Sequence, residues 1–146
     1  MREHSYLIDT NVVLDLLLAR EPFKVEATHI FALAEAQVIR LFLSSDAIST
    51  IAYLVGKNAS RSKARQALAI LLDYITLVPL DEALVMKALA LDFSDIEDAL
   101  VAASADESGA RAIITRNAKD FANSPVPAVS PPEFLAYWAK ESSKKE

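Results

Sequence analysis

The sequence predicts an α/β fold, in which a mostly parallel sheet of roughly four to five strands lies between helices on both faces. Two observations carry this. Short apolar runs alternate with longer helical patterns along the chain, as βαβ units do. The hydrophobic content is 53% with only two glycines, which suits a helix-rich packed globule rather than a disordered or all-β chain.

The elements follow in order. Tyr6-Leu7-Ile8 is a short buried strand and Asp9 closes it. An apolar helix runs from about Asn11 to Ala19-Arg20, ahead of Pro22. Residues 25–37 form a second helix with Ala27, Ile30, Phe31, Leu33 and Ala34 on one face. Residues 38–43 alternate weakly as a strand. Ser44-Ser45-Asp46 then reads as a capping segment, with Asp46 as N-cap of a helix through Ile48, Ile51 and Val55 that Gly56 ends or loosens. A helix spans 61–72, a strand 75–78, and a helix 81–91 with Asp81 as N-cap. Residues 93–108 are helical, stopped by Gly109. Residues 112–114 make a compact strand, and 126–129 a short final strand that Pro125 and Pro127 place at a sheet edge. Residues 131–140 form the last helix. The domain is therefore single, residues 1–140, followed by a charged tail, 141–146, expected to fray.

The totals exclude several function classes. There is no cysteine, so disulfides and thiolate metal sites are out, and with only His4 and His29 a histidine-rich zinc site is not expected. No signal peptide or membrane-length apolar run stands out, which predicts a cytoplasmic protein with no membrane partner. A net charge of −5 disfavours gripping nucleic acid by bulk electrostatics, but leaves room for a local basic patch working with a metal.

Acidic residues recur where strands end or helices start. Asp9 lies at the carboxyl end of the first strand, the edge where α/β sheets collect ligands; it can equally serve as a helix N-cap. Asp95-Ile96-Glu97-Asp98 opens a helix. Asp95 reads as its cap, Glu97 points elsewhere, and Asp98 projects into a crevice. Asn117 and Asp120 fall in the loop after the strand 112–114, and would open on the same edge as Asp9 if the two strands are parallel. Carboxylates crowded there repel one another, so their convergence implies a hard divalent cation, magnesium or manganese, with water completing its shell.

Segments in the same order along the chain, YLIDTNVVLDLLLAREP, LFLSSDAISTIAYLVGK, FSDIEDALVAASADESGA and AIITRNAKDFANSPVPAVSPPEFL, together resemble the PIN domain family. The resemblance implies a PIN-like three-layer α/β/α fold and a Mg2+- or Mn2+-dependent ribonuclease acting on single-stranded RNA, similar to VapC-type toxins. Such toxins are typically homodimers inhibited by a small antitoxin. Carried over residue by residue, it implies metal ligation by Asp9, Asp98 and Asp120, with Asn117 and Thr115 orienting ligands or water. The family's second segment usually carries an acid where this chain has Thr50. Thr50 can bind water or a phosphate oxygen but adds no charge, so the alternative is a weakened PIN module that binds RNA or a protein without cutting. Asp46, one turn earlier, can reach the same pocket or be only the cap. Arg116 and Lys119 are the expected phosphate contacts, joined by the basic run Lys57, Arg61, Lys63 and Arg65. Tyr6, Tyr53 and Phe121 are expected in the core, and Phe134, Tyr137 and Trp138 in packing or a dimer surface. A phosphatase of the haloacid-dehalogenase type would need a second aspartate where Asn11 stands.

Overall fold

The computed structural model describes residues 4–144. The chain runs β1 (Ser5–Ile8), α1 (Thr10–Leu17), α2 (Lys24–Glu35), β2 (Arg40–Ser44), α3 (Ala47–Asn58), α4 (Arg61–Leu71), β3 (Ile75–Val78), α5 (Glu82–Leu89), α6 (Ile96–Ser108), β4 (Ala112–Ile114), a 3-10 turn at Ala118–Phe121, β5 (Ala128–Val129) and α7 (Pro131–Lys144). All strand pairs are parallel, in the order β3-β2-β1-β4-β5. The three-layer expectation holds. β1 is buried along its whole length, as a central parallel strand must be. Its side chains alternate between two cores. Tyr6 and Ile8 pack with residues of α1, α2, α3 and Phe134 of α7, while Leu7 packs with Val101, Ala102 and Ala105 of α6 and with Phe121. The small residues of α6 let it lie close against the sheet.

The topology sets the site. From β1 the chain winds outward to β2 and β3, then returns to place β4 on the other side of β1. The strand order therefore reverses between β1 and β4, and a crevice opens at their carboxyl ends. Asp9 leaves one of these ends and Thr115 the other.

Several boundaries differ from the sequence reading for local reasons. The second strand starts at Arg40, because Gln37 takes a left-handed φ of 61° and Val38 N–H bonds back to Leu33 C=O at 3.1 Å, closing α2 in a Schellman turn. α6 starts at Ile96 rather than 93, since Asp95 caps it by accepting from Asp98 N–H at 3.1 Å. Gly109 closes it at φ 71°, as expected. α7 opens on a reciprocal pair, with Glu133 N–H to Ser130 Oγ at 3.2 Å and Ser130 N–H to Glu133 Oε1 at 3.0 Å, a capping box. It continues to Lys144, so the part of the charged tail that is described extends the helix; residues 145–146 lie outside the described residues. Tyr6 and Phe121 are buried as expected, but Tyr53 is 65% exposed. It sits on the outer face of α3, away from Ala47, Ile51 and Val55, which face the core.

Gly56 neither ends nor loosens α3; it lies within the helix, and a Cβ there would meet nothing within 4 Å. Gly56→Ala is therefore expected to stabilise the fold by ~0.5–1 kcal/mol through helix propensity, read as a higher urea midpoint.

Candidate active site

Asp9 occupies the switch point. Its backbone N–H bonds to Ile114 C=O at 2.9 Å, tying the end of β1 to β4. It does cap α1, with Oδ1 accepting from Thr10 N–H at 2.8 Å. Its other oxygen, Oδ2, accepts the Thr115 hydroxyl at 2.7 Å. The cap and the site reading are thus compatible, because the two oxygens take different partners. Thr115 is wholly buried, and its Oγ1 in turn accepts Asn117 N–H at 3.0 Å. Asn11 bridges the two strand ends: its amide nitrogen lies 3.4 Å from both Asp9 Oδ2 and Thr115 Oγ1, and its carbonyl accepts Arg116 N–H at 3.4 Å.

Asp9, Asn11, Arg20, Ser44, Asp46, Thr50, Glu97, Asp98 and Asn117 all line one cleft of about 330 Å³. Asp120 and Lys119 line a neighbouring cleft of about 260 Å³, and Asp98 borders both. Of the predicted site residues, the structure therefore gathers Asp9, Thr50, Asp98 and Asn117 in one cleft and sets Asp120 at its flank. Glu97, expected to point elsewhere, lines it too. Lys57 and Arg61 are exposed at the α3–α4 junction and do not line this cleft.

The carboxylates feel each other. Asp9 is pushed above the usual carboxylate range by burial, opposed by the bonds from Thr115 and Thr10 and reinforced by Asp120. Asp98 is pushed up to about 6, first by desolvation and then by Asp95, Asp9 and Asp120. A raised pKa in the folded state means that the folded chain keeps a proton the unfolded chain has lost. Stability from this source is present at acidic pH and falls as pH rises through the window from the usual carboxylate range to about 6. In metal-free buffer, Asp98→Asn should therefore melt above wild type at pH 7.5, with the advantage fading toward pH 4.5. A difference that does not vary with pH would refute the assignment of the shift to burial and repulsion.

Among the described residues, no three histidine or acidic side chains are grouped closely enough to hold a metal ion between them. The charged donors at the cleft are carboxylate oxygens, and burial with mutual repulsion makes Asp9 and Asp98 reluctant to ionise alone. Such an open set suits an ion that keeps much of its water and takes one or two protein carboxylates, as magnesium does. It does not suit a tetrahedral zinc site.

Two side chains make contacts that the sequence did not show. Asp46 occupies the N-cap position of α3 but makes no side-chain cap bond; it accepts the Ser44 hydroxyl instead. Arg116, expected to contact phosphate, is anchored elsewhere. Its Nε and Nη2 bond Asp15 at 2.7 and 3.1 Å, and its guanidinium stacks 4.0 Å from the Phe23 ring centroid. Asp15 is 1% exposed. Nothing local marks Asp15, which looks like one polar interruption of an apolar helix. Arg20, at the cleft wall, approaches Asp15 only to 3.8 Å.

Comparison with known proteins agrees with this architecture. The chain is 27% identical over 146 residues to Ribonuclease VapC1 of Aquifex aeolicus, covering 94% of this chain and 98% of that relative. Among solved structures it is similar to a toxin-antitoxin complex from Klebsiella pneumoniae, at 26% identity and TM-score 0.65 over 86% of this chain and 97% of the other. It also shares its fold with DNA-bound VapBC from Salmonella typhimurium, at 14% identity and TM-score 0.68 over 87% and 98% of the two chains. The PIN domain family model matches residues 5–119, which take in β1 with Asp9, all of α6 with Asp98, and β4 with Thr115, so the chain belongs to the PIN domain family.

Proposed function

We propose that this protein is a Mg2+- or Mn2+-dependent endoribonuclease that cleaves single-stranded RNA, and that it is the toxin of a VapBC-type toxin–antitoxin pair. The observation that carries the reading is the pairing of Asp9 with Asp98 across one cleft at the sheet's switch point, within a family whose relative above is a named ribonuclease. Asp9 and Asp98 would hold the ion, with Asp120 at the flank. When bound, the ion supplies Lewis-acid activation of water and neutralises charge at the phosphoryl oxygen. The chain's own residues prepare this. Thr115 fixes the Asp9 carboxylate by its 2.7 Å bond, Asn11 spans the two strand ends, and Asn117 and Thr50 offer neutral hydrogen-bonding groups at the cleft wall. Lys119 and Arg20, at the walls of the two clefts, would meet phosphates near the ion, and Lys57 and Arg61, exposed outside the cleft, would meet them farther along the strand. Arg116 acts through the fold, by holding Asp15.

The partner proposed is an antitoxin protein, as in the toxin-antitoxin complex similar to this chain, and the active form proposed is a homodimer in the cytoplasm. No helix among the described residues is long and apolar enough to cross a membrane. The alternative, a PIN module that binds RNA without cutting, is favoured by one observation: the uncharged Thr50 in the cleft. A labelled single-stranded RNA incubated with pure protein and Mn2+ separates the two. Cleavage that EDTA abolishes and Mn2+ restores is expected; binding without cleavage would favour the alternative.

A further inference from the structure

We propose that Asp46, not Thr50, supplies the helix-borne carboxylate of this cleft, and that a buried serine pair, Ser104 and Ser44, holds it there. The inference rests on the metal-dependent reading above. Asp46 has a capping residue's place without its geometry. Ser60, Asp81 and Asp95 head their helices with extended backbone, and each accepts a backbone N–H of the first turn. Asp46 is helical, at φ −66° and ψ −21°, and caps nothing. Asp46 lines the cleft with Asp9, Asp98 and Thr50.

The serines explain the orientation. Ser44 ends β2 and is 2% exposed; Ser104 lies in the middle of α6 and is fully buried. A buried hydroxyl is costly unless it is partnered. Ser104 donates to Ser44 Oγ at 3.2 Å, and Ser44 donates to Asp46 Oδ1. The chain of donors therefore ends on a carboxylate, the group best able to accept it. It also links α6, which carries Asp98, to the end of β2, next to β1 and Asp9. Asp46 thus restores, one helical turn before Thr50, the negative charge that Thr50 lacks. Ser104 is a positioning residue acting through Ser44.

The test is Mn2+ binding to the full chain by isothermal titration calorimetry, with folding checked by circular dichroism. Asp46→Asn is expected to weaken Mn2+ by about 10–100-fold, the range for groups that complete or orient a metal site. Thr50→Glu placed in the Asp46→Asn background is expected to recover affinity. Ser104→Ala should weaken Mn2+ in the wild-type background and have no further effect once Asp46 is Asn, as a double-mutant cycle reads coupling. If Asp46→Asn binds Mn2+ like wild type while Asp9→Asn does not, Asp46 has no such role and the ribonuclease reading stands. If wild type binds Mn2+ no better than Asp9→Asn, the metal site itself is refuted and the role of Asp46 goes with it.

Discussion

Arg116→Ala should destabilise the protein by about 3–5 kcal/mol, the usual cost of stripping a buried charge of its partner. Asp15 is 1% exposed on α1, and Arg116 meets it with a two-pronged pair at 2.7 and 3.1 Å. Arg20, at 3.8 Å and 36% exposed, makes a longer ion pair beyond hydrogen-bond reach. Without Arg116 the Asp15 carboxylate keeps only this longer ion pair and loses both of its guanidinium hydrogen bonds, so it must stay ionised with weak compensation or take up a proton, and both are costly. Lysine should rescue poorly, because an ammonium cannot reproduce the planar fork or its stacking on Phe23. Urea unfolding of Arg116→Ala, Arg116→Lys and Asp15→Asn/Arg116→Ala measures this, and the double variant should recover part of the loss. A loss of under ~1 kcal/mol for Arg116→Ala would mean that Arg20 swings in to replace it.

Asp9→Asn should separate activity from stability. RNA cleavage is expected to fall by about 10³-fold, the loss of several kcal/mol of ion-borne stabilisation. The fold should survive, since asparagine keeps an oxygen for the Thr10 N–H and an acceptor or donor for Thr115. In EDTA its melting temperature should equal or exceed that of wild type near neutral pH, because burial already holds the Asp9 carboxyl above its usual range and a neutral amide escapes that cost. Melting curves and single-stranded RNA cleavage with Mn2+ give both readings on one preparation. Undiminished cleavage by Asp9→Asn would end the enzyme proposal.

What the sequence determined is what is local. The apolar run before Asp9 made β1, Asp81 and Asp95 announced their helices, and Gly109 stopped α6, because each signal lies within a few residues of its effect. The acid at the end of the first strand was legible for the same reason, and the segments resembling the PIN family placed Asp98 and Thr115 beside it. Only the tertiary structure decided which polar groups meet. Arg116 and Asp15 are 101 residues apart and Ser104 and Ser44 are 60 apart, and no periodicity links such positions. A sequence window favours a cap for Asp46 over a reach into the pocket, and gives Arg116 to the substrate, since each is the commonest use of its residue type in that setting. The fold gives both residues a further partner where the sheet brings β2, β1 and β4 edge to edge, because a buried hydroxyl needs an acceptor and a buried carboxylate needs a cation: the Ser104–Ser44 chain ends on Asp46, and Asp15 is met by Arg116.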